Sequence, residues 1–120
     1  MKNLQNNFTT PEQSKRLLEL GVPADSADCY LLRTHTKGDT FIVDVLHDEL
    51  YSKKDKFTDL LEYIPCWSVG RLMEICEICE PKKEYEQLCE ELQYSQNYCV
   101  AIISHIIENL QIIDFYKLDD

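Results

Sequence analysis

The sequence predicts an α+β domain, mainly helical, with about five helices and one antiparallel β-hairpin packed on the side. Several segments repeat apolar residues at helical spacing, and two β-rich segments flank a turn-rich one at residues 35–39. With 120 residues, 44% of them apolar, the chain is long enough for one hydrophobic core. Residues 1–120 are therefore predicted to form a single domain. Residues 1–8 are predicted to be a loosely ordered tail, from which Leu4 or Phe8 can pack down.

The first helix is predicted over residues 11–20. Thr10 stands at the N-cap, and Gln13 completes a capping box with it. Gly21 supplies the left-handed residue that ends a helix, and Pro23 prevents continuation. Both ends of this helix are thus specified locally.

A β-hairpin is predicted next, from strands over residues 29–34 and 40–46. The intervening residues 35–39 are turn formers, and Gly38 is the expected positive-φ position. A hairpin alone is only marginally stable in water, so one of its faces must rest on helices. The charged segment 47–56 is interpreted as a loop.

The middle of the chain predicts two helices. A helix near residues 56–63 that stops at Pro65 is predicted from four apolar residues at helical spacing, Phe57, Leu60, Leu61 and Ile64. Ser68 caps the next, a central buried helix whose opening stretch holds the only Trp. Its predicted apolar face comprises Val69, Leu72, Ile75, Cys76 and Cys79. Its predicted solvent side comprises Arg71, Glu74, Glu77 and Glu80.

Two more helices close the predicted fold. Over residues 82–94, apolar residues at i, i+3, i+4 and i+7 indicate an amphipathic helix. Asn97 lies in a loop that caps the following segment, residues 98–113, whose apolar residues cover much of the circumference. Such a helix is either central to the core or half of a homodimer interface, with a strand as the alternative for part of it.

Three blocks of the sequence resemble a known group of proteins. Residues 10–28 (TPEQSKRLLELGVPADSAD) resemble the opening of short uncharacterised gut-bacterial proteins that are often found near prophages and mobile elements. Residues 65–72 (PCWSVGRL) are similar to a second block of that group, and residues 114–118 (DFYKL) to its C-termini. The resemblance implies a bacterial accessory protein and no catalytic residue.

The charge is strongly acidic and uneven along the chain. The net charge is −10: residues 1–60 carry 8 basic and 10 acidic side chains, and residues 61–120 carry 4 and 12. Phosphate backbones repel such a surface, so no direct nucleic-acid binding is expected. Acidity also favours solubility, and it is compatible with binding to a basic partner. We expect a cytoplasmic protein, because no apolar run reaches the ~20 residues of a membrane span and residues 1–7 lack a secretion signal.

The six cysteines fall mostly inside apolar patterns and are interpreted as reduced core residues. Cys76 and Cys79 form a lone C-x-x-C near the end of a helix among glutamates, which disfavours the thiolate that redox chemistry needs. A zinc site is the other alternative, and it requires ligands from Cys89, Cys99 and His105 on other helices. We expect no metal and no cofactor.

No catalytic motif is found in the sequence. His35, His47 and His105 have no partner at a recognisable spacing, and Glu108, three residues after His105, is ordinary on a helix surface. With three glycines in the chain, a phosphate-binding loop is not expected. The protein is therefore predicted not to be an enzyme.

The sequence predicts a small acidic cytoplasmic accessory protein that acts by binding another protein. The alternative is an acidic mimic of nucleic acid that inhibits a DNA-binding protein, with the glutamates of residues 84–91 imitating phosphates. Trp67 with Arg71 one turn later is either a contact at an interface or, for the Trp, a lid on the core. The candidate interaction surface comprises Trp67, Arg71, Glu84, Glu86, Glu90 and Glu91.

Overall fold

The computed structural model describes residues 7–34, 40–44 and 60–119, which form four α-helices and a three-stranded sheet. In chain order the elements are α1 (Pro11–Leu20), β1 (Cys29–Thr34), β2 (Thr40–Asp44), β3 (Leu60–Cys66), α2 (Val69–Cys79), α3 (Lys82–Leu92) and α4 (Tyr98–Glu108). Two 3₁₀ segments, Ala24–Ser26 and Phe115–Asp119, complete this part of the chain. The structure thus confirms the α+β class and its helical majority, with four α-helices in these residues where about five were predicted.

The sheet has the order β2-β1-β3, with both pairs antiparallel. The β1–β2 pair is the predicted hairpin, with Leu31 opposite Ile42. Its predicted turn at residues 35–39 and the predicted loop at 47–56 lie outside the described residues, as do residues 45 and 46 of the second predicted strand.

The helix predicted near residues 56–63 is wrong from residue 60 onward. Residues Leu60–Cys66 form β3, which pairs with β1 so that Cys29 lies opposite Cys66 and Tyr30 opposite Pro65. Pro65 restricts the preceding residue to extended backbone, and β3 has one described neighbour, which leaves room for a proline without an N–H. The apolar spacing fitted a helix, but pairing with β1 satisfies the backbone instead. Residues 56–59 lie outside the described part.

Helix α1 begins and ends as predicted. The Thr10 hydroxyl accepts a hydrogen bond from the Gln13 N–H (3.1 Å), and the Gln13 side chain accepts one from the Thr10 N–H (2.9 Å). Gly21 has φ 103°, and the Val22 N–H donates to the Leu17 carbonyl at 3.1 Å. The capping box and the glycine end are therefore confirmed.

Helix α4 is shorter than the predicted 98–113 segment. Asn97 caps its first turn as predicted, accepting from the Val100 N–H at 3.1 Å. The helix ends at Glu108, because Asn109 turns the chain: its side-chain Nδ2 donates to the His105 carbonyl (2.9 Å), and the Ile112 N–H donates to the Asn109 carbonyl (2.9 Å). The apolar pattern runs past the helix because residues 109–112 form a turn and Ile113, which follows it, packs on the core.

Buried apolar side chains form two clusters. The larger joins all four helices and consists of Leu17, Val22, Ala27, Trp67, Leu72, Ile75, Cys76, Cys79, Leu88, Cys99, Ile102, Ile103 and Ile106. The smaller consists of Cys29, Leu31, Ile64 and Cys66, with Phe8 of the predicted tail packed against it. Five cysteines are buried and Cys89 is half-buried, all as thiols outside any disulfide, which confirms the core interpretation for most of them. No helix among the described residues is long and apolar enough to cross a membrane.

Candidate functional site

Trp67 lies in the core and not on a surface. Its side chain has no exposed area, and its Nε1–H donates to the Ser26 hydroxyl at 3.0 Å. The Trp67 N–H donates to the Thr9 hydroxyl at 3.0 Å, so the residue ties the segment before α1 to the start of α2. The interpretation of Trp67 as a contact at an interface is therefore wrong, and the core-lid alternative holds.

Arg71 is half-buried and its guanidinium is already engaged. Its Nε–H donates to the Ser26 carbonyl (2.7 Å), and Nη1 pairs with Glu74 at 2.6 Å. Beside it, the Ser68 hydroxyl donates to Asp28 at 2.5 Å and accepts from the Arg71 N–H at 3.1 Å. These contacts join the first 3₁₀ segment to the N-terminus of α2, so Arg71 stabilises the fold at this point.

The four candidate glutamates lie on α3. Glu86, Glu90 and Glu91 are exposed and Glu84 is half-buried. Lys82 and Lys83 occupy the first turn of the same helix. The structure thus separates these carboxylates from Trp67, and they form an acidic face by themselves.

A buried pair of ionisable side chains, Glu80 and His105, is one that the sequence did not predict. His105 Nε2 lies 2.8 and 3.0 Å from the two carboxylate oxygens of Glu80, and both side chains are buried. Glu80 was predicted on the solvent side of α2, and this prediction is wrong, because the chain bends after Cys79 and turns Glu80 against α4. For His105 the sequence analysis identified no partner, because the two residues are 25 positions apart.

The surroundings of His105 determine its hydrogen-bonding pattern. A carboxylate only accepts, so Nε2–H donates to Glu80; the Asn109 Nδ2 lies 3.3 Å from Nδ1. Glu91 approaches Nδ1 at 3.9 Å. Burial raises the pKa of Glu80, and the hydrogen bond from His105 partly offsets that rise. The buried pair links the end of α2 to α4.

The C-x-x-C pair is part of the core. Burial raises the pKa of the Cys79 thiol to about 11, and it raises the pKa of Cys76 further. A protonated, buried thiol is a poor nucleophile. Among the described residues, no group of three or more His, Cys, Asp or Glu side chains is placed to bind a metal ion.

Thiol labelling tests this placement. A rise of the Cys79 pKa from 9.0 to about 11 lowers the thiolate fraction at neutral pH about 100-fold. Iodoacetamide should therefore label Cys76 and Cys79 at least about 100-fold more slowly in the native protein than in urea, as read by peptide mass spectrometry. Half-buried Cys89 is the internal control and should be labelled first. Fast native labelling of Cys76 or Cys79 would instead indicate an activated thiol.

The outer face of α4 carries exposed apolar side chains. Val100 is 50% exposed and Ile107 43% exposed, and they lie two turns apart on one side of the helix, with exposed Ser104 between them. The opposite side contributes Cys99, Ile102 and Ile106 to the core. The helix is thus apolar on both sides, but only one side is covered by the part of the chain that the structure describes.

A groove runs between α4 and α1 beside Val100. Its volume is about 240 Å³, and it is lined by Glu12, Gln13, Arg16, Val100, Ile103 and Ser104. The floor is apolar and the rim, supplied by α1, is polar and charged. We call the groove and the outer side chains Val100, Ser104 and Ile107 the α4 surface.

Comparison with protein-family models, curated proteins and solved structures finds no match for this chain.

Proposed function

We propose that this protein is a small cytoplasmic accessory protein that binds another protein through the α4 surface. The observation that carries the proposal is the exposure of Val100 and Ile107 on a helix whose other side is fully packed. Exposed apolar patches with polar rims are typical of protein-binding sites. The resemblance of residues 10–28 to proteins found near mobile elements agrees with an accessory role.

The geometry favours an amphipathic helix as the partner segment. Val100 and Ile107 are separated by seven residues, the spacing at which one helix presents side chains to another. The groove beside Val100 is of a size for an inserted apolar side chain. A partner helix with apolar residues at i and i+7 would cover both features.

Charge favours a basic partner over a second copy of this chain. The net charge is −10, and residues 61–120, which include α4, account for −8 of it. Two such chains repel each other, whereas basic side chains on a partner would meet Glu12 at the groove and Glu108 at the end of α4. The homodimer predicted through residues 98–113 is therefore the alternative occupant of the same surface.

Substitutions on α4 test the proposal. Val100→Glu and Ile107→Glu should each weaken capture of the partner at least about tenfold, because each buries a carboxylate in an apolar contact. The fold should be unaffected, since both side chains already reach solvent. The matched control is Ile78→Glu, an isoleucine 41% exposed on α2. Capture of the partner is measured by quantitative pull-down from host lysate with each variant. The molar mass of each variant in solution is measured by light scattering.

The outcomes separate the alternatives. Loss of one basic partner with both α4 variants, and not with Ile78→Glu, supports the proposal. If light scattering gives the mass of two chains for the wild type and of one chain for Ile107→Glu, the α4 surface binds a second copy of this chain and not another protein. Equal capture by all variants would refute the α4 surface.

The second candidate function is the acidic mimic, supported by the exposure of Glu86, Glu90 and Glu91 on α3. A mimic binds its partner through charge, so capture of that partner should fall steeply between about 50 and 200 mM salt, as it does for proteins that contact phosphates. Duplex DNA should also compete with the mimic for the partner. Capture through α4 would survive both treatments.

A further inference from the structure

A second cavity lies between the end of α1 and the C-terminal 3₁₀ segment. Its volume is about 520 Å³, within the range of ligand pockets. It is lined by Gly21, Pro23, Asp25, Ile113, Asp114, Phe115 and Tyr116. Two of these side chains are carboxylates and two are aromatic, and none of the described lining residues is basic.

We propose that this cavity binds a guanidinium group of the kind carried by arginine. A guanidinium is planar, stacks on aromatic rings and donates in pairs to carboxylates, so it matches Tyr116, Phe115 and the two aspartates together. An anion would be repelled by Asp25 and Asp114. A neutral apolar ligand would gain no pairing from the two carboxylates, which are both exposed to solvent.

The walls of the cavity are fixed by the fold. Gly21 has φ 103°, and the Phe115 ring lies 3.8 Å from the position that a Cβ at Gly21 would occupy, so the ring covers the end of α1. The Asp114 N–H donates to the Cys79 carbonyl at 2.8 Å, and its side chain accepts from the Tyr116 N–H at 3.0 Å. Asp114 and Phe115 are thus held in place before any ligand arrives.

Tyr116 gives the cavity an accessible aromatic group. Its side chain is 83% exposed, whereas Phe115 is half-buried and packs on the larger core cluster. An exposed tyrosine contributes little to the core and is available to stack on a bound planar cation. This cavity is separate from the α4 surface in its lining residues, so the two proposals stand or fall independently.

Titration with a pair of isosteric ligands tests the proposal. N-acetyl-arginine-methylamide is added to the full-length protein, with the citrulline counterpart, equal in shape but uncharged, as the ligand control. We expect saturable shifts of the Gly21 and Phe115 amide signals with the arginine compound and none with citrulline. An Ac-Gly-Arg-Gly-amide arm separates the sources: tighter binding points to an arginine of a protein segment, and equal binding to a free small molecule.

Matched variants identify the carboxylates. The double variant Asp25→Asn, Asp114→Asn should weaken binding at least about tenfold, and Tyr116→Ala severalfold, because charged pairing and stacking are lost. The double variant Glu74→Gln, Glu77→Gln on α2 changes the net charge equally and should bind as the wild type does. Equal binding of citrulline, no saturable shift, or equal weakening by both double variants would overturn the proposal.

Discussion

Replacing His105 with alanine is expected to lower the free energy of unfolding by about 3–5 kcal/mol, the usual cost of breaking a buried pair by removing one partner. The variant leaves the Glu80 carboxyl buried with no side chain to donate to it, and it opens a cavity between α2 and α4. Urea denaturation followed by circular dichroism measures the change.

Two further variants separate the hydrogen bond from simple packing. Glu80→Gln keeps an oxygen that accepts from Nε2–H and should cost only about 1 kcal/mol. Replacing Glu80 and His105 together with leucine removes both polar groups and should restore most of the stability lost in His105→Ala. If His105→Ala costs less than about 1 kcal/mol, the pair is not buried in solution.

The same variants give a pH dependence of known sign. Because burial raises the pKa of Glu80 above 4.5, the folded protein holds this proton to a higher pH than the unfolded chain does. Its contribution to stability is therefore fully present below pH 4.5 and is lost as the pH rises through the folded value. Glu80→Gln lacks this titration, so its stability relative to the wild type should improve as the pH rises from 4.5.

Replacing Trp67 with alanine is expected to cost about 3–5 kcal/mol, the range for removing a large buried aromatic side chain. Trp67 has no exposed area and touches both the 3₁₀ segment at Ala24–Ser26 and the core of the helices. Small domains are stable by only about 5–15 kcal/mol. Trp67→Ala should therefore reach its unfolding midpoint at a lower urea concentration than the wild type. Circular dichroism is the required signal, because Trp67 is the only Trp.

Trp67→Phe is the matched control. Phenylalanine keeps much of the ring in the core and loses the donation from Nε1–H to Ser26, which still donates to the Pro23 carbonyl at 2.6 Å. We expect a cost of about 1–2 kcal/mol, well below that of alanine. A Trp67→Ala variant as stable as Trp67→Phe would contradict the burial of the ring.

Local features of the fold were predictable where short-range chemistry decides them. The capping box of Thr10 and Gln13, the glycine end at Gly21, the Ser68 cap and the Asn97 cap all depend on residues within one turn. The hairpin partner of β1 was also predictable, because β-rich segments flanked turn residues. The core role of the cysteines followed from their place in apolar patterns.

The features that the sequence pattern misassigned depend on contacts between residues that are far apart in the chain. Leu60 to Ile64 fitted a helix by spacing, yet β1 was available to pair with this segment, and only the tertiary arrangement brings the two together. The same holds for Glu80 and His105, which are 25 residues apart and share no motif spacing. Their burial follows from the bend after α2.

The sequence by itself determined the α+β class, both ends of α1, the Ser68 and Asn97 caps, the acidic charge and the core placement of most cysteines, because each rests on neighbouring residues or on composition. The tertiary structure alone decided which side of α4 is covered, which polar groups are buried, and that the end of α1 and Phe115 enclose a cavity. Those properties depend on which surfaces meet, and residues that meet across the fold leave no periodic signal in the chain.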